Sequence, residues 1–186
     1  MLAFTFRLTV LLVFFSLSAC ASGSFELYVF NPAKGPISIL VDGEPRPLQK
    51  YGNADYIEAS LKSGTQIEIK AGDKLLEQLT VGEVPLDLGR NEKAVYIVDG
   101  PMPLVLADYT AFYGEATETP KITGVRDIST QKWLRLQGDE EIAFPSKTFP
   151  RERPEGHKML RLIHMPPQLP ADKVEPFLYY ELKNLK

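Results

Sequence analysis

The sequence predicts an all-β protein: a β-sandwich or partly open barrel with a second, smaller β lobe. Three observations carry the expectation. Short apolar runs rich in β-branched and aromatic residues recur at intervals of about 10 to 15 residues. The 15 prolines and 13 glycines mostly punctuate those runs, as turn residues do between strands. No stretch beyond the N-terminal segment keeps a helical period over a dozen residues, the span needed to tell a helix from a strand. With 186 residues, 44% hydrophobic and 24% charged, the chain suffices for one ordinary globular domain or two small ones.

The first element is not part of the domain. Arg7 supplies a positive charge, residues 8–15 form an apolar run, and Ser16-Leu17-Ser18-Ala19 follows with small residues. This is the three-part layout of a secretory signal over residues 1–19. The apolar run is well short of the roughly 20 residues that cross a bilayer as a helix. It ends on Leu17-Ser18-Ala19-Cys20, which resembles the lipobox of bacterial lipoproteins. The resemblance implies cleavage before Cys20, a diacylglycerol on its thiol and an acylated new N-terminus. A thiolate is the natural nucleophile for such lipid transfer. Several acyl chains, at about 0.8 kcal/mol per buried methylene, hold where one would be marginal. In that family an aspartate after the cysteine often retains the protein in the inner membrane; Ala21 here implies the outer membrane, facing the periplasm. Two other readings stay open. Ala19-Cys20-Ala21 also fits ordinary signal cleavage with a soluble product from Ser22, and the segment also fits a buried helix with Cys20 as a core thiol.

Residues 20–24 form a tether, and strands follow. Phe25-Glu26-Leu27-Tyr28-Val29-Phe30 is aromatic and β-branched and stops at Asn31-Pro32. Ile37-Ser38-Ile39-Leu40-Val41 ends at Asp42-Gly43, a hairpin signal. Residues 55–61 form the next strand. Gln66-Ile67-Glu68-Ile69-Lys70 alternates strictly, so one face is buried and the other wet. Ala71-Gly72-Asp73 turns the chain into residues 74–81, and Ala94-Val95-Tyr96-Ile97-Val98 closes the series. Through Val29-Phe30-Asn31-Pro32, Ile39-Leu40-Val41-Asp42-Gly43, residues 51–61 and the hairpin over 64–72, residues 25–98 resemble the DUF4397-type bacterial envelope domains. That resemblance implies a small β-sandwich and no catalytic residues.

Residues 104–113 are expected as a long strand, with Tyr109 and Tyr113 on one face and Phe112 on the other. The polar interval 115–120 marks a boundary between a β-sandwich domain over 25–114 and a C-terminal β-rich lobe over 115–186. Further strands are expected over 122–128, 132–136 and 141–144, an exposed loop over 146–158, and a final strand pair over 159–164 and 177–182.

The chemistry is sparse. A net charge of −3 offers no basic field, so nucleic acid is excluded as a partner. The one cysteine forms no intramolecular disulfide and, once lipidated, leaves no thiol nucleophile. His157 and His164 are the chain's two histidines. Along an extended strand they would face opposite sides, with His157 in a loop and His164 capping a strand. Zinc sites need three or four converging ligands, so no metal and no cofactor is expected. Neither a serine elbow nor a phosphate-cradling glycine loop occurs. Asp139-Glu140-Glu141, and Glu115 with Glu118, could do acid–base work only in a cleft; in loops they are expected to be solvated. The chain reads as a non-enzyme.

Binding is the remaining class. Tyr109, Tyr113, Trp133 and Tyr179, with Phe112 and Tyr180, form the candidate binding surface, a platform for sugars or a patch for a protein. The same spacing fits core packing. The mixed charges of Arg151-Glu152-Arg153 are a second candidate contact. The expected function is an envelope lipoprotein that binds or scaffolds a protein partner, an envelope machine or a cell-wall polymer. Alternatives are an envelope hydrolase whose acids meet only in three dimensions, and a soluble periplasmic binder cleaved after Ala21. A subunit that adds a strand to a neighbour would present an unpaired apolar edge.

Overall fold

A computed structural model describes residues 24–32, 35–51, 54–89, 92–98, 103–113, 122–144 and 152–183. The expected signal over 1–19, Cys20 and the tether before residue 24 lie outside the described residues, as do Glu115, Glu118 and Arg151. In chain order the strands are β1 (Ser24–Phe30), β2 (Ile37–Val41), β3 (Glu44–Pro45), β4 (Gln49–Tyr51), β5 (Ala54–Ser60), β6 (Gln66–Ala71) and β7 (Lys74–Thr80). There follow β8 (Lys93–Ile97), β9 (Leu104–Asp108), β10 (Thr123–Asp127), β11 (Trp133–Leu136), β12 (Glu140–Ala143) and β13 (Lys158–His164). A 3-10 turn over Thr110–Tyr113 trails β9, and a helix, α1 (Ala171–Lys183), follows β13.

The strands form three sheets: a central one ordered β11-β8-β1-β5-β4, an outer one ordered β3-β2-β6-β7 and a helix-side one ordered β10-β9-β13-β12. None closes into a barrel, so of the two expected architectures the sandwich is the one present. The sheets stack because strand side chains alternate between faces. From β1, Leu27 and Val29 pack with Ile39, Ile67 and Ile69 of the outer sheet. Tyr28 and Phe30 point the other way, among Leu106, Phe144, Leu160 and Leu162 on the helix-side sheet. The helix-side sheet buries its second face too, where Val105, Ala107, Met159 and Ile163 meet Leu178, Val174 and Phe177 of α1. The order of layers is outer sheet, central sheet, helix-side sheet, helix.

The turns obey local chemistry. The β2–β3 hairpin closes through Asp42 and Gly43, both at positive φ (51° and 79°), the conformation that matches the twist of a two-residue turn. Asp42 Oδ1 also accepts the Gln66 N–H at 2.8 Å, fixing the hairpin to β6. Asn31, buried at the end of β1, donates its amide to the Gly35 carbonyl at 3.0 Å.

Two expectations change, and the sheet order bears on a third. The strand placed over 177–182 is helix α1. β13 already pairs with β12 on one side and β9 on the other, which leaves no edge for another strand. The apolar spacing of Val174, Phe177 and Leu178 is helical, but Pro176 interrupts it and masks the period. The strand expected through Tyr113 ends at Asp108, where the Asp108 carboxylate accepts the Thr110 N–H at 2.9 Å and turns the chain. Finally, the sheets cross the boundary expected at 114/115. β9 lies in the helix-side sheet with β10, β12 and β13, while β11 joins the central sheet with β8 and β1. Strands from both sides of the polar interval thus share sheets.

That interleaving has a measurable consequence. Residues 24–114 expressed alone should show no cooperative thermal transition, because the β1 face carrying Tyr28 and Phe30 loses Phe144, Leu160 and Leu162 and β9 loses β10 and β13, and should regain one when residues 115–186 are co-expressed. A sharp melt of the shorter piece by circular dichroism would rule this out.

Candidate functional site

The four candidate aromatics divide between two places. Tyr109 is fully buried, a core residue beneath α1, with the half-buried Tyr113 ring 6.0 Å away. Tyr179 of α1 lies 6.1 Å from Phe112. Trp133 sits on β11, its ring 4.9 Å from Tyr96 and facing the outer sheet. The helix-side sheet and the core beneath it separate Trp133 from the other three. Tyr109, Tyr113 and Tyr179 stand at the seat of the helix, and Trp133 lines a cavity. The seat also holds Arg161, buried in β13. Burial pushes its guanidinium pKa down, against the opposing pull of Tyr109 and Glu181 of α1.

The cavity measures about 270 Å³ and is lined by Val84, Pro85, Asp87, Ala94, Trp133, Leu134 and Arg135. One wall is the connection between β7 and β8, and its shape follows from a few anchors. Val81 exchanges backbone bonds with Gly64 and Thr65 at 2.8 and 2.9 Å, and the Gly82 N–H donates to the Leu86 carbonyl at 2.9 Å. Gly82 has φ 91°, and a Cβ there would stand 2.6 Å from Ser63 Oγ, so the turn needs glycine. Leu86 plugs the outer core with 1% exposure while Val84 projects with 84%.

The other wall is β11, and Arg135 ties the two together. Its Nε and Nη2 donate to Glu92 Oε2 at 2.9 and 2.7 Å. Nη1 donates to Asp87 Oδ1 at 3.1 Å and Nη2 to the Asp87 carbonyl at 2.7 Å. The Gly89 N–H also donates to Glu92 Oε2, at 2.6 Å. That backbone bond first, and Arg135 second, hold the Glu92 carboxyl below its ordinary pKa. Lys132, next to Trp133, pairs with Glu77 of β7 at 3.9 Å. Exposed pairs of this kind each contribute about 1 kcal/mol at most, so the clamp orders a loop and adds little to global stability.

Trp133 also stands on a sheet edge. β11 pairs with β8 alone among the described strands. The Ile97 N–H donates to the Lys132 carbonyl at 2.8 Å, and Trp133 pairs in register with Tyr96. Alternation then turns the N–H and C=O of Leu134 and Leu136 toward β8 and those of Trp133 and Arg135 outward.

A second polar cluster joins the central and helix-side sheets. Lys93 of β8, 9% exposed, donates to Glu141 Oε2 of β12 at 2.9 Å. Glu141 Oε1 lies 3.1 Å from His157 Nδ1, and Glu140 pairs with Lys158 at 3.8 Å. Glu140 and Glu141 therefore stand in a strand with partners, instead of in a solvated loop. His157 lies in the turn before β13 and His164 ends that strand, the His164 ring edge-on to Phe30 at 5.4 Å. Among the described residues no three His, Cys, Asp or Glu side chains gather around a common point.

Trp133 was legible as a candidate. Val84, Pro85, Asp87, Glu92 and Arg135 were not. The nearest sequence signal is the apolar Val84-Pro85 between Gly82 and Gly89, an exposed apolar turn where polar residues are usual. The pairing of Asp87 and Glu92 with Arg135 spans more than forty positions and has no local pattern.

The clamp should titrate. Because the folded pKa of Glu92 is depressed, its contribution is complete above the unfolded glutamate value of about 4.3 and is lost as pH falls below it. Trp133, the one tryptophan in the chain, should report the loosened wall as a red shift in emission below about pH 4. Arg135→Gln should show that shift already at neutral pH; identical emission in the variant across the range would exclude the clamp. No protein-family model, curated protein or solved structure matches this chain.

Proposed function

We propose that this chain is a lipid-anchored binding module of the bacterial cell envelope, fixed to the outer membrane through Cys20 and engaging a protein partner at the Trp133 groove. The observation that carries the binding reading is the coincidence of an outward-facing strand edge with a half-buried tryptophan and an exposed valine, Val84. Buried aromatic anchors with apolar neighbours are the usual energetic centres of protein contacts, and a free edge supplies main-chain donors and acceptors. The location rests on the lipobox-like Leu17-Ser18-Ala19-Cys20 and the apolar run before it. The groove lining holds no serine, threonine, cysteine or histidine, and its one carboxylate, Asp87, is bound to Arg135, while Glu140 and Glu141 are spent on Lys158, Lys93 and His157. These features favour a binder over a hydrolase.

Metabolic labelling with a fatty-acid analogue, followed by membrane fractionation, tests the anchor. The natural protein should take label and sediment with membranes, and Cys20→Ser should lose both. An unlabelled, soluble natural protein would overturn the anchor and make a freely diffusing binder the correct reading.

A further inference from the structure

We infer that the β11 edge accepts an extended, cationic polypeptide segment as a sixth strand of the central sheet. The inference rests on the protein-binding reading above and names the partner's chemistry. Three features define it. First, the outward N–H and C=O groups of Trp133 and Arg135 recur every second residue along β11, a spacing that only another extended backbone matches. Second, the residue of an added strand opposite Trp133 shares its face of the sheet, which is the face carrying the groove and Val84; an apolar side chain fits there. Third, the charges around the groove are unequal. Glu83 adjoins Val84, Asp87 lines the cavity, Glu92 holds Arg135, and Glu77 holds Lys132. Among the described residues, four carboxylates thus stand around the groove beside two cations. Each cation is already engaged, so the residual field is negative and complements lysine or arginine on the incoming segment.

β11 is short, four residues. Short edges with charged residues are how proteins limit indiscriminate pairing. The edge therefore takes a segment of matching charge and leaves neutral or acidic ones, which is specificity by exclusion.

The test uses the full chain carrying Cys20→Ser, to keep it free of lipid, and follows Trp133 emission. The probe is a blocked heptapeptide alternating lysine and valine. It is compared with a glutamate–valine heptapeptide, and with a lysine–valine heptapeptide N-methylated along one edge. We expect saturable binding of the lysine peptide, weakened about tenfold or more by N-methylation of the edge that faces β11 and abolished by the charge reversal. Glu83→Lys and Val84→Ser alter exposed side chains outside both cores and leave folding intact; each should weaken binding about fivefold. Equal affinity for the methylated peptide would overturn strand addition, and equal affinity for the glutamate peptide would overturn the charge preference. No binding of any peptide would overturn the inference while Cys20 labelling persists. Lost labelling with peptide binding retained would instead overturn only the anchor.

Discussion

The rest of the structure depends on the double burial of the central sheet. In β1 every residue from Leu27 to Phe30 is buried, and in β8 all five are. Neither strand has a wet face. Each large side chain so placed contributes roughly 1.5 to 3 kcal/mol, but only if covers exist on both sides. The outer sheet supplies one and the helix-side sheet the other. The helix-side sheet then inherits the same problem one layer out, and α1 solves it. The stack ends with a helix because one amphipathic stripe covers a sheet face without creating another apolar face behind it.

Charges inside the stack follow from that geometry. Lys93 sits in the first position of a wholly buried strand, where an unpaired ammonium would be costly. Glu141 from the facing sheet meets it, so the pair fixes how the two sheets align at that end. Arg161 occupies the equivalent problem under α1, with Tyr109 and Glu181 supporting its charge. Such pairs add specificity of register more than net stability. The Arg135 clamp is different in kind. It is largely exposed, joins a loop to an edge, and belongs to neither core cluster.

With each sheet face covered along the stack, except the solvent side of the outer sheet, edges, loops and the outer side of the helix are what the stack leaves to solvent. That explains why the candidate aromatic residues stand in two places. Tyr109 is buried beneath α1, and the half-buried rings of Tyr113 and Tyr179 pack at the same seat, against Tyr109 and Phe112. Trp133 is on the last strand of the central sheet, so part of it stays accessible beside Val84 and Pro85. The same residue types serve opposite ends because of layer position.

The sequence by itself determined the strands with strong local signals: β1, β2 with its Asp42-Gly43 turn, β6, β11 and β13 stand within a residue or two of where their composition put them. It determined the all-β class, since turn residues and β-branched runs act locally. It did not determine α1, because Pro176 interrupts a short helical stripe whose apolar residues read equally as strand. Tertiary structure decided which sheet each strand joined, that β9 and β11 cross the polar interval at 115–120, and that Trp133 parts company with the tyrosines. It also decided the groove, whose Asp87, Glu92 and Arg135 meet only when β11 docks on β8. The physical reason is range: turns and alternation are written into neighbouring residues, whereas sheet partnership is chosen by which distant apolar faces can bury one another.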